Sequence, residues 1–390
     1  MTTPSRQLPE CALPPWRRAV LKVGSNLLAA DGGGLTTRYA EALSAFMSAS
    51  HAAGREVVLV SSGAVAAGRA LMRERATVGG DLAARQALAA LGQMPMIALW
   101  QKLSDRPVAQ VLLTHDDLRN RRRYLNARAT LRELLSLGVL PVVNENDTVA
   151  VDELKLGDND NLAAIVAALV DADLLLIASD VDALYSADPR RDSRAEPIGH
   201  VPQLTPEVLA MASDTGTSVG TGGMRTKLQA ATKAAAAGIP TALFGGRDAA
   251  TVQALEQGRL HGTLIDVAGN RMQARKYWLR HAPGGSGHVR VDAGAARALL
   301  GGRASLLPGG ILDVVGEFHR GDLIDIVDAD NLPIARGLCQ YGAGEVRRLL
   351  GRHSRDIESL LGYSYGAEIV HRDDLATLTH PETKHGGMEA

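Results

Sequence analysis

Two acid-amide clusters, Asn144-Glu145-Asn146-Asp147 and Asp158-Asn159-Asp160-Asn161, stand within one short stretch of this chain, Pro141 to Asn161. The run from Gly138 to Val143 predicts a short buried strand that delivers the chain into the first cluster. Leu162 to Val170 predicts an Ala-rich helix, opened by the second cluster with Asp158 or Asn159 as its cap. Backbone N–H groups and the dipole at a helix start favour anions, while carboxylates and amides take ammonium, hydroxyl or lysine partners. That mixture suits a zwitterion or a charged organiser better than a bare metal cage. The same residue types also build plain turns and caps.

Three further features could share this chemistry. Lys22 sits inside the apolar strand Ala19 to Val23, where an ammonium needs either a partner or a route to solvent. Ser61-Ser62-Gly63-Ala64 follows the strand Glu56 to Val60 and opens a helix, the place where α/β folds put ligands, and Gly63 lets backbone come close to an anion. Gly216 to Lys227, GTSVGTGGMRTK, is a glycine-rich loop running into a helix, with Lys227 one turn inside; such a loop cradles phosphate by N–H donation. It is neither a GxxxxGK[ST] loop nor a dinucleotide fingerprint. No Ser-His-Asp set, cysteine nucleophile or metal triad accompanies these features, and the 11 histidines are scattered.

The inventory fits phosphoryl transfer, in which positioning and charge neutralisation do most of the catalysis. A carboxylate acceptor, with a pKa near 4.3, is already an anionic nucleophile at pH 7 and needs no base. Its obstacle is repulsion from the phosphate, on the order of 4 kcal/mol per charge pair at 4 Å and an effective dielectric near 20. Lysines, N–H groups and Mg²⁺ offset it.

The elements that must hold these residues alternate strand and helix from 19 to 267, which predicts an α/β fold with one open, mostly parallel sheet and helices on both faces. A single helix is expected over Asp116 to Leu137, and another over Asp81 to Leu103. The His281 to Gly287 segment reads as a hinge, and beyond it short alternating strands form a β-rich module of roughly 80 residues. The expected organisation is a flexible extension over 1–18, a main domain over 19–280, a linker over 281–287, a second domain over 288–374 and a tail over 375–390. At 390 residues, 46% hydrophobic and 22% charged, two domains are the reasonable expectation. A net charge of −1 gives no overall pull towards nucleic acid or acidic membranes. Two distant cysteines, Cys11 and Cys339, point to a reducing, cytoplasmic setting, and neither a membrane-spanning run nor a secretory h-region is expected.

Taken in order and spacing, VLKVGS, VSSGAVAAGR, YLNARATLR, PVVNENDTVA, KLGDNDNLAA, LYSADPR and GTGGMRTKLQAA, with FHRGDLIDI and GYSYGAEIVHRDD in the last part, make the chain similar to the bacterial glutamate 5-kinase family. That family joins an amino-acid-kinase domain to a PUA domain, and the resemblance runs from about Val20 to Asp374. It implies ATP-dependent phosphorylation of the L-glutamate γ-carboxylate with Mg²⁺, the first step to proline, along with inhibition by proline and a homo-oligomeric state.

Residue by residue, the resemblance implies that Lys22 and Lys227 bracket the ATP phosphates, with Asp160 holding both ammonium groups. Ser62, Asp147 and Asn159 are implied to bind glutamate, Asp147 through the ammonium, with Asn144 assisting. Ser179, Asp180 and the loop Thr221, Gly222, Gly223, Met224, Arg225, Thr226 and Lys227 are implied to bind the nucleotide. The Mg²⁺ ligands are left unassigned. Asn26 stands where the family usually has Ser or Thr, and Ser179 replaces a frequent Thr; both keep a hydrogen-bonding side chain, so altered affinity and not lost activity is expected. The alternatives are another enzyme of the same fold acting on a related carboxylate, or an RNA-binding regulator working through the second domain.

Overall fold

A computed structural model of the chain describes residues 8–30, 33–73, 81–150, 159–212, 223–267, 287–302 and 304–378. The chain divides into two units, Met1–Arg271 and Met272–Ala390.

In the first unit the strands are β1 (Glu10–Ala12), β2 (Arg18–Val23), β3 (Glu56–Ser61), β4 (Val108–Leu113), β5 (Leu140–Glu145), β6 (Leu174–Ser179), β7 (Leu184–Tyr185), β8 (Pro197–Ile198), β9 (His200–Val201), β10 (Thr241–Gly245) and β11 (Arg259–Ile265). The helices are α1 (Ser25–Leu28), α2 (Ala40–Ala52), α3 (Ala64–Met72), α4 (Leu82–Leu103), α5 (His115–Arg119), α6 (Arg121–Ser136), α7 (Asn159–Leu169), α8 (Pro206–Ala210), α9 (Met224–Ala236) and α10 (Ala249–Glu256). Among the described residues the main sheet runs β1-β11-β10-β6-β2-β3-β5-β4, with β9 beside β11. From β10 to β4 every pairing is parallel; β11 and β1 join antiparallel at one side.

The sequence of the central strands explains why both faces are covered. Ala19, Leu21 and Val23 of β2 and Val57 and Leu59 of β3 enter one core with α2 and α4. Val20, Val58 and Val60 enter the opposite core with α6, α7 and α9. Side chains two apart share a face, so strands buried on both sides read as continuous apolar runs. By the same alternation Lys22 lies on the α7 and α9 face, as the one charged side chain of its strand interior.

Residues 8–18 correct the expectation of a flexible extension. β1 pairs with β11, Trp16 packs at a tilt against Phe46 at 6.2 Å between ring centroids, and Arg55 lies over the Trp16 ring at 4.7 Å. The edge of β11 and an aromatic surface supply the partners that a proline-broken sequence does not advertise. The helix expected over 116–137 is two, because Asn120 takes an extended conformation (φ −75°, ψ 113°) and caps α6 through its side chain, while Thr114 and Asp117 close a capping box on α5.

The second unit has its own core. Its strands β12 (Gly287–Val291), β13 (Ile311–Gly316), β14 (Leu323–Val327), β15 (Pro333–Cys339) and β16 (Val370–Thr377) form a five-stranded sheet in the order β13-β12-β14-β15-β16. β16 continues to Thr377 because Ala335, Arg336 and Gly337 of β15 pair with residues 375–377, so the end expected at 374 falls inside a strand. The proposed linker, apart from Gly287, lies outside the described residues.

Candidate active site

Because β2, β3, β5 and β6 are parallel neighbours, their last residues, Val23, Ser61, Glu145 and Ser179, finish along one edge of the sheet. This is where open α/β sheets bind ligands. α7 and α9 pack over the Lys22 face and bring Asp160 and Lys227 to it. Lys22 Nζ is 2.6 Å from Asp160 Oδ1, and Lys227 Nζ donates to Asp160 Oδ2 at 3.2 Å. Thr226 Oγ1 lies 2.7 Å from Asp160 Oδ2 and 2.8 Å from the Gly223 carbonyl, so its proton bonds one of them at a time. Gly223 is the extended N-cap of α9.

This triad is buried: Asp160 is 1% exposed and the two lysines 5% each. Burial works to raise the Asp160 carboxyl, but Lys22 and Lys227, with hydrogen bonds from Lys22 and Thr226, outweigh it and hold it far below the usual carboxylate range. For Lys227, burial lowers the ammonium's pKa and Lys22 adds to this, against the pull of Asp160. Two ammonium groups meet on one carboxylate, an arrangement that would favour a terminal phosphate beside them.

The second cluster of contacts centres on Asn159, the first residue of α7. Its Nδ2 donates to Ser62 Oγ at 2.9 Å and to Asn144 Oδ1 at 2.9 Å, and lies 3.4 Å from the Ser61 carbonyl. Asn159 Oδ1 is buried without a hydrogen bond among the described residues. Being already helical, Asn159 is not the cap of α7, and Asp158 lies outside the described residues. Asp147 is buried, and desolvation pushes its carboxyl up to about 6 against the opposing field of Arg85. A buried carboxylate of this kind would be brought to its charged form by an ammonium partner.

At the end of β6, Asn26 Nδ2 donates to Asp180 Oδ2 at 2.8 Å, and Ser179 Oγ donates to Asp180 Oδ1 at 3.3 Å. Burial works to raise the Asp180 carboxyl; the Asn26 bond, with Arg247 and Lys227, brings it below its ordinary value. Asn26 therefore keeps a polar role through its amide, and Ser179 also accepts from the Val181 N–H at 3.3 Å. Of the glycine-rich loop, Gly223 to Lys227 are described, whereas Thr221 and Gly222 lie outside the described residues.

The structure thus brings Lys22, Lys227 and Asp160 into direct contact, joins Ser62, Asn144 and Asn159, and puts Asn26, Ser179 and Asp180 in a third group. The sequence marks Ser61 only as part of the turn before α3, and it gives no sign of Trp100 or Arg85. Trp100 reads as core, and only the indole N–H, which a buried site obliges to find an acceptor, could have flagged it.

Two family models match the chain: the amino acid kinase family over residues 17–245 and the PUA domain over residues 287–361. Glutamate 5-kinase of Xylella fastidiosa (strain M23) is 65% identical over 379 residues, covering 96% of this chain and 99% of that protein. Glutamate 5-kinase of Xanthomonas euvesicatoria pv. vesicatoria (strain 85-10) is 66% identical over 362 residues, covering 92% and 100%. Among solved structures, UMP kinase from Bacillus anthracis is similar at 16% identity and a TM-score of 0.46, over 66% of this chain and 98% of that one. The protein belongs to the amino acid kinase family, among the glutamate 5-kinases with a PUA domain.

Proposed function

We propose that the protein transfers the γ-phosphoryl group of ATP to the side-chain carboxylate of L-glutamate, giving L-glutamyl 5-phosphate and ADP, the first step of proline biosynthesis. The observation that carries this reading is the convergence of Lys22 and Lys227 on buried Asp160, beside the polar group of Ser62, Asn144 and Asn159. The relatives' shared name, at 65% identity over nearly the whole chain, supports the same substrate.

In this mechanism a γ-carboxylate oxygen forms a bond to the terminal phosphorus while the bond to the β-γ bridging oxygen breaks. The nucleophile is already ionised, so no base is required. Lys22 and Lys227 neutralise the repulsion between the two anions, and Asp160 fixes both ammonium groups before either substrate arrives. Asp147 pairs with the substrate ammonium, Ser62 and Asn159 hold a carboxylate, Asn144 orients Asn159, and Ser179, Asp180 and residues 221–227 meet the nucleotide.

Mg²⁺ fits this inventory as an ion held largely by the nucleotide phosphates. Among the described residues no three His, Cys, Asp or Glu stand together as a cage, and Mg²⁺ commonly uses one or two carboxylates with substrate phosphates and water. Bound there, it would neutralise charge on the transferring phosphoryl group.

Proline inhibition, a homo-oligomeric state and a cytoplasmic location belong to the same reading. No helix among the described residues is long and apolar enough to cross a membrane. The test is hydroxamate formation with ATP, Mg²⁺ and hydroxylamine, which traps acyl phosphates, across glutamate, aspartate and acetylglutamate. Strong signal with glutamate alone is expected; none with glutamate, or an equal signal with all three, would overturn the reading.

A further inference from the structure

The carboxyl end of β3 carries a hydrogen bond from Trp100 to Ser61 that has no part in the phosphoryl-transfer mechanism above. Trp100, fully buried near the end of α4, donates its indole N–H to Ser61 Oγ at 2.8 Å, across 39 residues of chain. Ser61 Oγ in turn donates to the Ser62 carbonyl at 3.1 Å. From the opposite side Asn159 Nδ2 donates to Ser62 Oγ at 2.9 Å.

The directions of these bonds are fixed by chemistry. An indole N–H only donates, so the Ser61 hydroxyl accepts there and commits its proton to the Ser62 carbonyl. An amide Nδ2 also only donates, so Ser62 Oγ is an acceptor towards Asn159 and keeps its own proton for a partner. A hydroxyl left as a donor at a ligand edge matches a carboxylate, which only accepts.

The helix that carries Trp100 is also docked on the helix that follows this turn. A Cβ on Gly92 of α4 would lie 1.7 Å from the Ala64 carbonyl, and one on Gly68 of α3 would lie 1.9 Å from the Leu88 carbonyl. α3 starts at Ala64, directly after the turn, and Gly63 has φ 110°, a conformation that excludes most other residues. The Trp100 bond is the polar end of this close helix pair, and it reaches the residue next to Ser62.

We propose that Trp100 is a positioning residue for carboxylate recognition: through Ser61 it fixes the turn so that the Ser62 hydroxyl donates to a carboxylate oxygen of the substrate. This rests on the glutamate kinase reading above. It gives Trp100 a consequence for substrate affinity that a buried core tryptophan would lack.

The experiment is steady-state kinetics of the full chain carrying Trp100→Phe, Ser61→Ala or both, with Trp16→Phe as a control for loss of an indole elsewhere. Each of the first two is expected to raise the glutamate KM by about threefold to tenfold, the range of one hydrogen bond, with the ATP KM and kcat nearly unchanged. The double variant is expected to be no worse than the more affected single, because both changes remove the same bond. Trp16→Phe is expected to leave the glutamate KM unchanged. An unchanged glutamate KM in Trp100→Phe and Ser61→Ala, effects that multiply in the double variant, or equal losses in all parameters would overturn the proposal. If Trp100→Phe fails to fold, Ser61→Ala decides alone, since it removes a single hydroxyl. A wild-type protein that yields no hydroxamate from glutamate would instead bring down the glutamate reading itself.

Discussion

Replacing Asp160 with Asn keeps the side chain's shape and removes the charge on which two ammonium groups depend. Lys22 and Lys227 approach that carboxylate at 2.6 and 3.2 Å, all three side chains are buried, and Thr226 adds a hydrogen bond. Removing one partner of a buried ion pair costs about 3–5 kcal/mol, and here it also leaves two like charges facing each other. For a unit of this size that corresponds to a fall in Tm of about 6–20 °C. ATP should restore more stability to Asp160→Asn than to wild type, because its phosphates supply the missing anion. The pH dependence has a definite sign. With the carboxylate gone, burial and the neighbouring Lys22 favour the neutral form of Lys227 unopposed, so the unfolded chain binds more protons and the deficit shrinks as pH rises towards the unfolded lysine value near 10.4. In wild type the depressed Asp160 carboxyl contributes stability that is present above about pH 4 and is lost as pH falls below it. Differential scanning fluorimetry from pH 6 to 9, with and without Mg-ATP, reads all of this, and hydroxamate turnover should fall with it. A variant melting at the wild-type temperature with wild-type turnover would refute the shared-carboxylate argument.

Lys227→Ala should lower kcat by about 10²- to 10³-fold, the range for one charge-stabilising group, while circular dichroism stays native because Asp160 keeps Lys22; unchanged turnover would remove Lys227 from the phosphate site. Asp147→Ala should raise the glutamate KM far more than the ATP KM, and equal effects would move Asp147 out of the substrate site. Because burial pushes the Asp147 carboxyl up to about 6, glutamate affinity should weaken as pH falls through 6, and glutamate binding near pH 6 should release protons. Calorimetry in two buffers of different ionisation enthalpy measures that release, and Asp147→Asn should abolish it. Gly92→Ala should destabilise strongly, since its methyl meets the Ala64 carbonyl at 1.7 Å, and should raise the glutamate KM by shifting the turn before α3; a wild-type melting curve would show that the two helices part easily.

Much of the first unit could be read from the sequence because its signals are local. Continuous apolar runs such as LLLI of β6 and the Asp81 cap of α4 declare a buried strand and a helix start without reference to anything distant. The candidate lysines were visible for a related reason: a charge in an apolar strand, as at Lys22, or just past a glycine-rich run, as at Lys227, breaks its own surroundings. Their shared partner was a weaker inference, since Asp160 lies 138 positions from one and 67 from the other, and the family likeness supplied the link. Partnerships with no local cue escaped altogether. β1 pairs across the chain with β11, and Trp100 reaches Ser61; each depends on where a remote backbone runs. The break at Asn120 was missed because residues 119–123, Arg-Asn-Arg-Arg-Arg, contain no glycine or proline to announce it, and only the extended backbone and side-chain cap of Asn120 end one helix and start the next.

The most direct test of the central claim is rapid-quench transfer from γ-³²P-labelled ATP in wild type and Lys227→Ala. Hydroxylamine-reactive label on glutamate, one equivalent per ADP, is expected in wild type, and almost none in the variant although it still binds nucleotide. Label on the protein, label released only as inorganic phosphate, or equal transfer to glutamate in both proteins would contradict it.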